Sequence, residues 1–274
     1  MTRLPGKFNI DKKVIIITGG EGVLGSTLAF DLASLGARII IIGINKQKGQ
    51  EIQNKISTDK GTAEFYHASV LDRKALKEIR KSIVDDWGSI DILINAAGGN
   101  VQGATVGEDE NVFDMDPDDF RKVYELNLEG TVTPSLIFGE QMSRQGRGVI
   151  LNYSSMAALR AISRIAGYSA AKAAVNNFTR WMAVEMATKF GDGIRVNAIA
   201  PGFLVTTQNR DLLMNKDGSL TERGKKVISQ TPFGRFGEPE ELTGTVLWLI
   251  TDASSFVTGT VIPVDGGFSA FSGV

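Results

Sequence analysis

Tyr168 and Lys172 stand four residues apart in the stretch YSAAK, at the start of a strongly helical pattern, so their side chains share one helix face. A free phenol has a pKa near 10 and is a poor acid or base at neutral pH. An ammonium about 4 Å away is worth roughly 4 kcal/mol at an effective dielectric near 20. At ~1.4 kcal/mol per unit, that lowers the tyrosine by up to about three units and makes it a base near pH 7. Alone, Y-x-x-x-K fits a solvated surface pair equally well. Other polar residues recur at element ends along the chain and change that balance. Ser155 lies 13 positions before Tyr168, just past a β-branched run, with Ser154 beside it. Asn127 sits in LNLEG on the preceding helical stretch, and Pro201-Gly202 follows a later apolar run.

The elements that must position these residues alternate regularly. Strands are expected at Val14–Thr18, Arg38–Ile42, Ala63–His67, Ile90–Ile94, Gly148–Asn152, Ile194–Ile199 and Val261–Val264. Helices are expected near 24–35, 46–58, 72–86, 118–143, 166–189 and 239–251. The first two strands are apolar throughout, as in a parallel sheet covered on both faces. Repeated βα alternation without a linker predicts a single α/β domain over 1–274, a Rossmann-type doubly wound parallel sheet of about seven strands with helices on both faces. Ligands of such sheets bind past the carboxyl ends of the strands, where Ser155 and Pro201-Gly202 fall.

The first strand runs into Thr18-Gly19-Gly20-Glu21-Gly22-Val23-Leu24-Gly25 and then a helix. A strand, a glycine-rich turn and a helix N-terminus form a cradle for a dinucleotide pyrophosphate. After the second strand, dinucleotide folds place an acid on the ribose hydroxyls, or a base on a 2′-phosphate. Here Gly43 stands where the acid is expected and Ile44 where the base is, followed by Asn45 and Lys46. Glu21 would repel a phosphate if it faced the ribose, and Lys46 would attract one. On this balance NAD is favoured over NADP.

Composition narrows the classes. Thirty Lys+Arg against 31 Asp+Glu give a net charge of −1, which argues against a nucleic-acid binder. With no cysteine and one histidine, thiol nucleophiles, disulfides and zinc–cysteine or three-histidine sites are excluded, and no metal site is expected. The lone His67 is expected in a structural or adenine-side place. Apolar runs fall far short of the ~20 residues of a membrane span. The opening MTRLPGKFNIDKK has no apolar core of a signal peptide, so a cytoplasmic location is expected.

The ordered set, TGGEGVLG, Asn95-Ala96-Ala97-Gly98, Asn127, Ser155, Tyr168/Lys172 and Pro201-Gly202, resembles the short-chain dehydrogenase/reductase family over nearly the whole chain. Val23 departs from the family's T-G-x-x-x-G-x-G pattern, which has glycine there. The resemblance implies nicotinamide-dependent interconversion of an alcohol and a ketone. It implies Tyr168 as general acid–base, Lys172 lowering its pKa and holding the nicotinamide ribose, Ser155 orienting the carbonyl, and Asn127 holding a water in a relay. Ser154 has the wrong spacing for the serine's part. The cofactor set it implies is Thr18 to Gly25, Ile44, Asn45, Val70, Asn95 to Gly98, Tyr168, Lys172, Pro201, Gly202 and Thr206.

Two long segments, about 98–116 and 203–232, are expected to shape the substrate side, the second as a lid with two short helices. Arginine suits a carboxylate through its bidentate fork, so Arg160, Arg164 and Arg210 are candidate substrate ligands. At finer grain TGGEGVLG, INAAGGN, APGFLVTTQNR, TPFGRFGEPEEL and the C-terminal stretch resemble the D-mannonate oxidoreductase (fructuronate reductase) branch of that family. This implies a sugar-acid substrate, D-mannonate/D-fructuronate, with Asn100, Gln208, Asn209 and Arg210 as further ligands. The alternatives are a general sugar, polyol or uronate-derived keto-acid reductase, a dehydratase or epimerase using the same pair, or a non-catalytic dinucleotide-binding protein. The apolar stretch Phe256–Val274 fits a subunit interface, and a homotetramer is expected.

Overall fold

Four consecutive isoleucines at 39–42, and three at 15–17, leave no polar face, and these runs form the centre of the sheet. The computed structural model describes residues 6–107, 109–206 and 209–273. Its seven strands are β1 (Val14–Thr18), β2 (Arg38–Gly43), β3 (Thr62–His67), β4 (Ile92–Asn95), β5 (Gly148–Tyr153), β6 (Ile194–Pro201) and β7 (Val261–Val264). They pair in the order β3-β2-β1-β4-β5-β6-β7, every pair parallel. The order reverses between β1 and β4, the switch point at which such a sheet opens a crevice.

Successive residues of a strand point to opposite faces, and the core divides accordingly. Ile15, Ile17, Ile39 and Ile41 pack with Leu28 and Leu32 of α1 (Val23–Ser34), Ile56 of α2 (Lys46–Thr58) and Val246 and Leu249 of α9 (Thr243–Ile250). Ile16, Ile40 and Ile42 pack on the other face, with Leu76 and Ile83 of α3 (Arg73–Trp87), Phe138 and Met142 of α5 (Gly130–Gln145) and Met182 and Met186 of α6 (Ala166–Phe190).

The helix expected over 118–143 is divided. It runs as α4 (Pro117–Tyr124), widens to a π-turn over Glu125–Glu129 that carries Asn127, and continues as α5. Such widened turns occur often at functional sites. The stretch 239–251 also splits, because Pro239 opens a 3-10 turn, closed by a Glu238/Glu241 capping box, ahead of α9. The expected segment 203–232 does hold two short helices, α7 (Arg210–Leu213) and α8 (Glu222–Ser229). No helix among the described residues is long and apolar enough to cross a membrane.

Arg195, on β6, is buried and fixes the segment leading to β7. Its guanidinium donates to the carbonyls of Leu249, Thr251 and Val257 and to Ser254 Oγ at 2.9–3.3 Å. Burial alone lowers its pKa, and Asp252 opposes that shift. Because removing a buried donor leaves its acceptors unpaired, we expect Arg195→Met to cost roughly 2–4 kcal/mol. Urea unfolding followed by circular dichroism measures this, and an unchanged midpoint would show that the guanidinium is not buried as described.

Candidate active site

The end of β5 sets the centre of the site. Ser154 and Ser155 follow it directly, and the two hydroxyls go separate ways. Ser154 is buried and donates to Asn176 Oδ1 on α6. Ser155 caps the 3-10 turn Met156–Ala158, accepting from Ala157 N at 3.2 Å, and faces a cavity. Ser155, and not Ser154, lines that cavity. Tyr168, in the first turn of α6, lines the same cavity, near enough to Ser155 for that hydroxyl to favour the ionised phenol.

Lys172 lies one turn further along α6, 3% exposed, with Nζ donating to Tyr153 O at 2.8 Å. It stands 5.6 Å from the centroid of the Tyr168 ring. Burial brings the lysine pKa down to about 8. Burial pushes the Tyr168 phenol up instead, and the Ser155 hydroxyl only partly offsets this. The expected lowering of Tyr168 by Lys172 is thus corrected. Desolvation wins for both groups, so at neutral pH the site holds a neutral phenol beside an amine close to its titration point.

Asn127 joins this centre through the backbone. Its Oδ1 accepts from Gly99 N at 3.1 Å, and its Nδ2 donates to Gly99 O and Val123 O at 2.7 and 2.8 Å. A Cβ on Gly98 would lie 2.6 Å from Asn127 Oδ1 and 3.2 Å from Lys172 Nζ. The glycine, with φ +158°, lets the segment after β4 fit between them. Asn127 therefore clamps the 98–99 backbone against the lysine.

A dinucleotide fits the adjoining turn. A Cβ at Gly19, where φ is +64°, would come within 2.7 Å of Ala97 Cα, and one at Gly25 within 2.4 Å of Gly19 O. These glycines bring the turn after β1 against Ala96-Ala97, and Ala97 N donates to Thr18 Oγ1 at 3.2 Å. Gly20 packs over Ile41, with only 3.0 Å between its would-be Cβ and Ile41 Cγ2. Helix α1 starts at Val23, in line with Leu24, and Gly22 caps it without any side-chain hydrogen bond. The turn is intact despite the missing middle glycine, and its first amides are offered to an anion. Beside it the buried Glu21 Oε2 is an acceptor without a partner among the described residues.

The other expected residues divide. Val70 is buried against Gly130, at the start of α5. Ile44 is 70% exposed, and Asn45 caps α2 by accepting from Lys48 N. Pro201 ends β6, and Gly202 N donates to Val264 O at 2.9 Å. The Asn95 side chain does not face the crevice. It donates to Ser135 Oγ and Asn152 Oδ1 at 2.8 and 2.9 Å, fully inside the protein. His67 is exposed, with Nε2 3.0 Å from Ile44 O, at the β2 end of the turn.

The cavity, about 710 Å³, is bounded by Gly99, Asn100, Ser155, Tyr168, Thr206 and Asn209. Asn100 Nδ2 donates to Thr105 Oγ1 at 2.6 Å, while its Oδ1 is buried without a partner among the described residues. Asn209 bridges its own loop, donating to Leu204 O and accepting from Thr206 N. Of the three arginines expected at the mouth, only Arg164 lines the cavity. Its backbone is left-handed, φ +79°, and Nε donates to Val106 O at 2.7 Å. Arg160 turns away to the C-terminal segment, donating to Ser269 O and Phe271 O, and Arg210 is exposed at the start of α7. Arg223, from α8, takes a place in the cavity wall that the sequence reading did not assign. Gln208 lies outside the described residues.

A family model described as enoyl-(acyl carrier protein) reductase matches residues 21–269. The uncharacterized oxidoreductase UxuB of Bacillus subtilis is 45% identical over 280 residues, spanning 99% of this chain and 100% of that protein. The chain belongs to the short-chain dehydrogenase/reductase family. Among solved structures, a Haemophilus influenza protein described as a candidate D-mannonate oxidoreductase, with NAD bound, superposes with a TM-score of 0.90 at 45% identity. That alignment covers 97% of this chain and 98% of that one. A gluconate 5-dehydrogenase from Burkholderia cenocepacia, in complex with NADP and tartrate, reaches 0.85 at 30% identity over 96% and 98%. The chain is thus an NAD(P)-dependent oxidoreductase of this family.

In this short-chain dehydrogenase/reductase the buried lysine leaves a thermodynamic mark. With a folded pKa of about 8 against 10.5 for an ordinary lysine, the unfolded chain binds more protons across that window. Stability attributable to Lys172 therefore rises as pH climbs from about 8 to about 10.5. We expect the wild type to gain roughly 3 kcal/mol over Lys172→Met across this range. Denaturant unfolding of both proteins at each pH measures it, and a pH-independent difference would refute a buried ammonium.

Proposed function

We propose that the protein interconverts D-mannonate and D-fructuronate with a nicotinamide dinucleotide, NAD in preference to NADP. The observation that carries the reading is that Ser155 and Tyr168 line one wall of the 710 Å³ cavity together, with Lys172 buried behind them. When bound, the nicotinamide supplies or accepts the hydride. Glycines 19, 20 and 22, the first amides of α1, Ala96-Ala97 and the Pro201-Gly202 turn are placed to hold the dinucleotide.

In the reductive direction Tyr168, held as a neutral phenol, gives its proton to the oxygen of the substrate ketone, and Ser155 Oγ donates to the same oxygen. Lys172, near its titration point and anchored on Tyr153 O, restores the phenol. In the oxidative direction the same proton path runs backwards, and Tyr168 must first ionise. The raised phenol pKa means that oxidation speeds up as pH rises and reduction is favoured at lower pH. Asn127 keeps Gly98-Gly99 in place beside the lysine. Water exclusion falls to the segments about 98–116 and 203–232; Arg164 and Val106 tie the first to the β5–α6 connection, and Arg223 of the second donates to Ser163 there.

A sugar acid is supported by the 45% identity to the candidate D-mannonate oxidoreductase structure. It is also supported by the guanidinium-bearing Arg164 and Arg223 in the cavity wall, with Glu110 and Asp211 opposing their charge, and by the open acceptor Asn100 Oδ1. A general hydroxy-acid or polyol reductase is the second reading, favoured by the likeness to a gluconate 5-dehydrogenase that holds tartrate. A panel of D-fructuronate, D-mannonate, gluconate, tartrate and neutral sugars, run with both nucleotides, decides between them. Tyr168→Phe should lower turnover at least a thousandfold, the order of a lost acid–base group, and leave nucleotide binding intact; retained turnover refutes the assignment.

The same reading includes a cytoplasmic homotetramer. Its support is the apolar surface of Trp181 and Val184 on α6, 52% and 64% exposed, together with the fully exposed Phe256. Light scattering after size exclusion at micromolar concentration should return four times 29.5 kDa; a monomer would count against it.

A further inference from the structure

The position that should carry the ribose-binding acid is Gly43, yet the space above it is occupied by a carboxylate. A Cβ built on Gly43 would fall 1.9 Å from Glu21 Oε2 and 2.1 Å from Glu21 Cδ. Gly43 ends β2 without a positive φ, so its backbone accepts any side chain. What excludes a side chain there is Glu21. This residue reaches across from the glycine-rich turn, with Oε1 accepting from Ile44 N at 2.8 Å and from Asn45 N at 3.3 Å. The two amides fix the carboxylate at the end of β2. Its other oxygen, Oε2, is buried and has no partner among the described residues. A buried, unmatched charged acceptor is costly unless something supplies its donors.

We propose that Glu21 replaces the missing acid after β2, with Oε2 accepting from the adenosine ribose hydroxyls and thereby selecting NAD over NADP. This rests on the nicotinamide reading above and names the residue that sets its cofactor class. A ribose diol supplies the donors that Oε2 lacks. A 2′-phosphate is an acceptor with negative charge and would meet a carboxylate that the Ile44 and Asn45 amides prevent from turning aside. Lys46 and Lys48, exposed at the start of α2, attract a phosphate only through screened solvent. Residues 21 and 43 thus form an exchange pair, in which one carboxylate is needed and only one fits.

Equilibrium binding of NADH and of NADPH, followed by nicotinamide fluorescence without substrate, tests this on four proteins. For the wild type we expect NADH to bind at least a hundredfold tighter. Glu21→Gln keeps the shape and loses the charge. It should weaken NADH about ten- to a hundredfold, the loss of one charge-assisted hydrogen bond, and bring the two dissociation constants within about tenfold of each other. Gly43→Asp alone sets two carboxylates in one space and should weaken both nucleotides. Glu21→Ala combined with Gly43→Asp should restore tight, selective NADH binding, which a merely structural role for Glu21 would not produce. If NADH binds and its preference survives Glu21→Gln, the assignment of Glu21 is overturned while the nicotinamide reading stands. If neither nucleotide binds the wild type, both are overturned.

Discussion

A charged amine kept almost wholly out of water is the constraint around which the site is arranged. Among the described residues Lys172 Nζ has one hydrogen bond, to Tyr153 O, and burial has already drawn its pKa to about 8. An ammonium with a single protein acceptor is poorly compensated, and the sheet does not need it for stability. What it gains by staying is proximity. The cation, the phenol of Tyr168 and the hydroxyl of Ser155 are all carried by the β5–α6 connection and its helix. Their relative positions are therefore set by one short stretch of chain, and not by the docking of separate parts.

That stretch is held from behind by a buried chain of polar groups. Asn95 at the end of β4 donates to Asn152 on β5 and to Ser135 on α5, and Asn152 Nδ2 donates to Thr179 Oγ1 on α6 at 2.9 Å. Each hydroxyl is in turn bonded to the carbonyl four residues earlier, Thr131 O for Ser135 and Val175 O for Thr179. Networks of this kind, nearly complete, specify register as well as adding stability. Here the register ties the two helices that carry Asn127 and Lys172 to adjoining strands. Asn127, within the π-turn Glu125–Glu129 just ahead of α5, bonds both the N–H and the carbonyl of Gly99.

Much of this was legible in the sequence because it depends on short-range pattern. Short all-apolar runs rich in β-branched residues and bounded by turns fit a strand covered on both sides, and β1 and β2 begin where their patterns begin. The 13-residue interval from Ser155 to Tyr168 distinguished the two serines only through the family resemblance, which fixes that spacing. Where a side chain's destination depends on tertiary neighbours, the letters were silent. Arg160, Arg164 and Arg223 are chemically the same, and only the folded backbone sends the first to the C-terminal carbonyls and the others to the cavity. Asn95 belongs to a motif at the crevice, yet its own side chain points into the protein. The direction of the Tyr168 shift was missed because Coulomb attraction can be estimated from spacing, whereas desolvation requires the surroundings.

The turn after β1 shows the same limit from the opposite side. A position-by-position reading finds no acid after β2, since it asks which residue stands at 43. The relevant quantity is where a carboxylate stands in space, and two backbone routes reach that point. One is a side chain rising from the end of β2. The other is a longer side chain arriving from the glycine-rich turn one strand away, across the 2.8 Å bond from Ile44 N to Glu21 Oε1. The second route requires that the first be vacated, because the two would overlap below 2 Å. A glycine in a strand end with ordinary backbone angles, otherwise unexplained and slightly unfavourable for a strand, is what such an exchange leaves behind. The glycine and the glutamate are 22 residues apart in the chain, and neither is informative without the other.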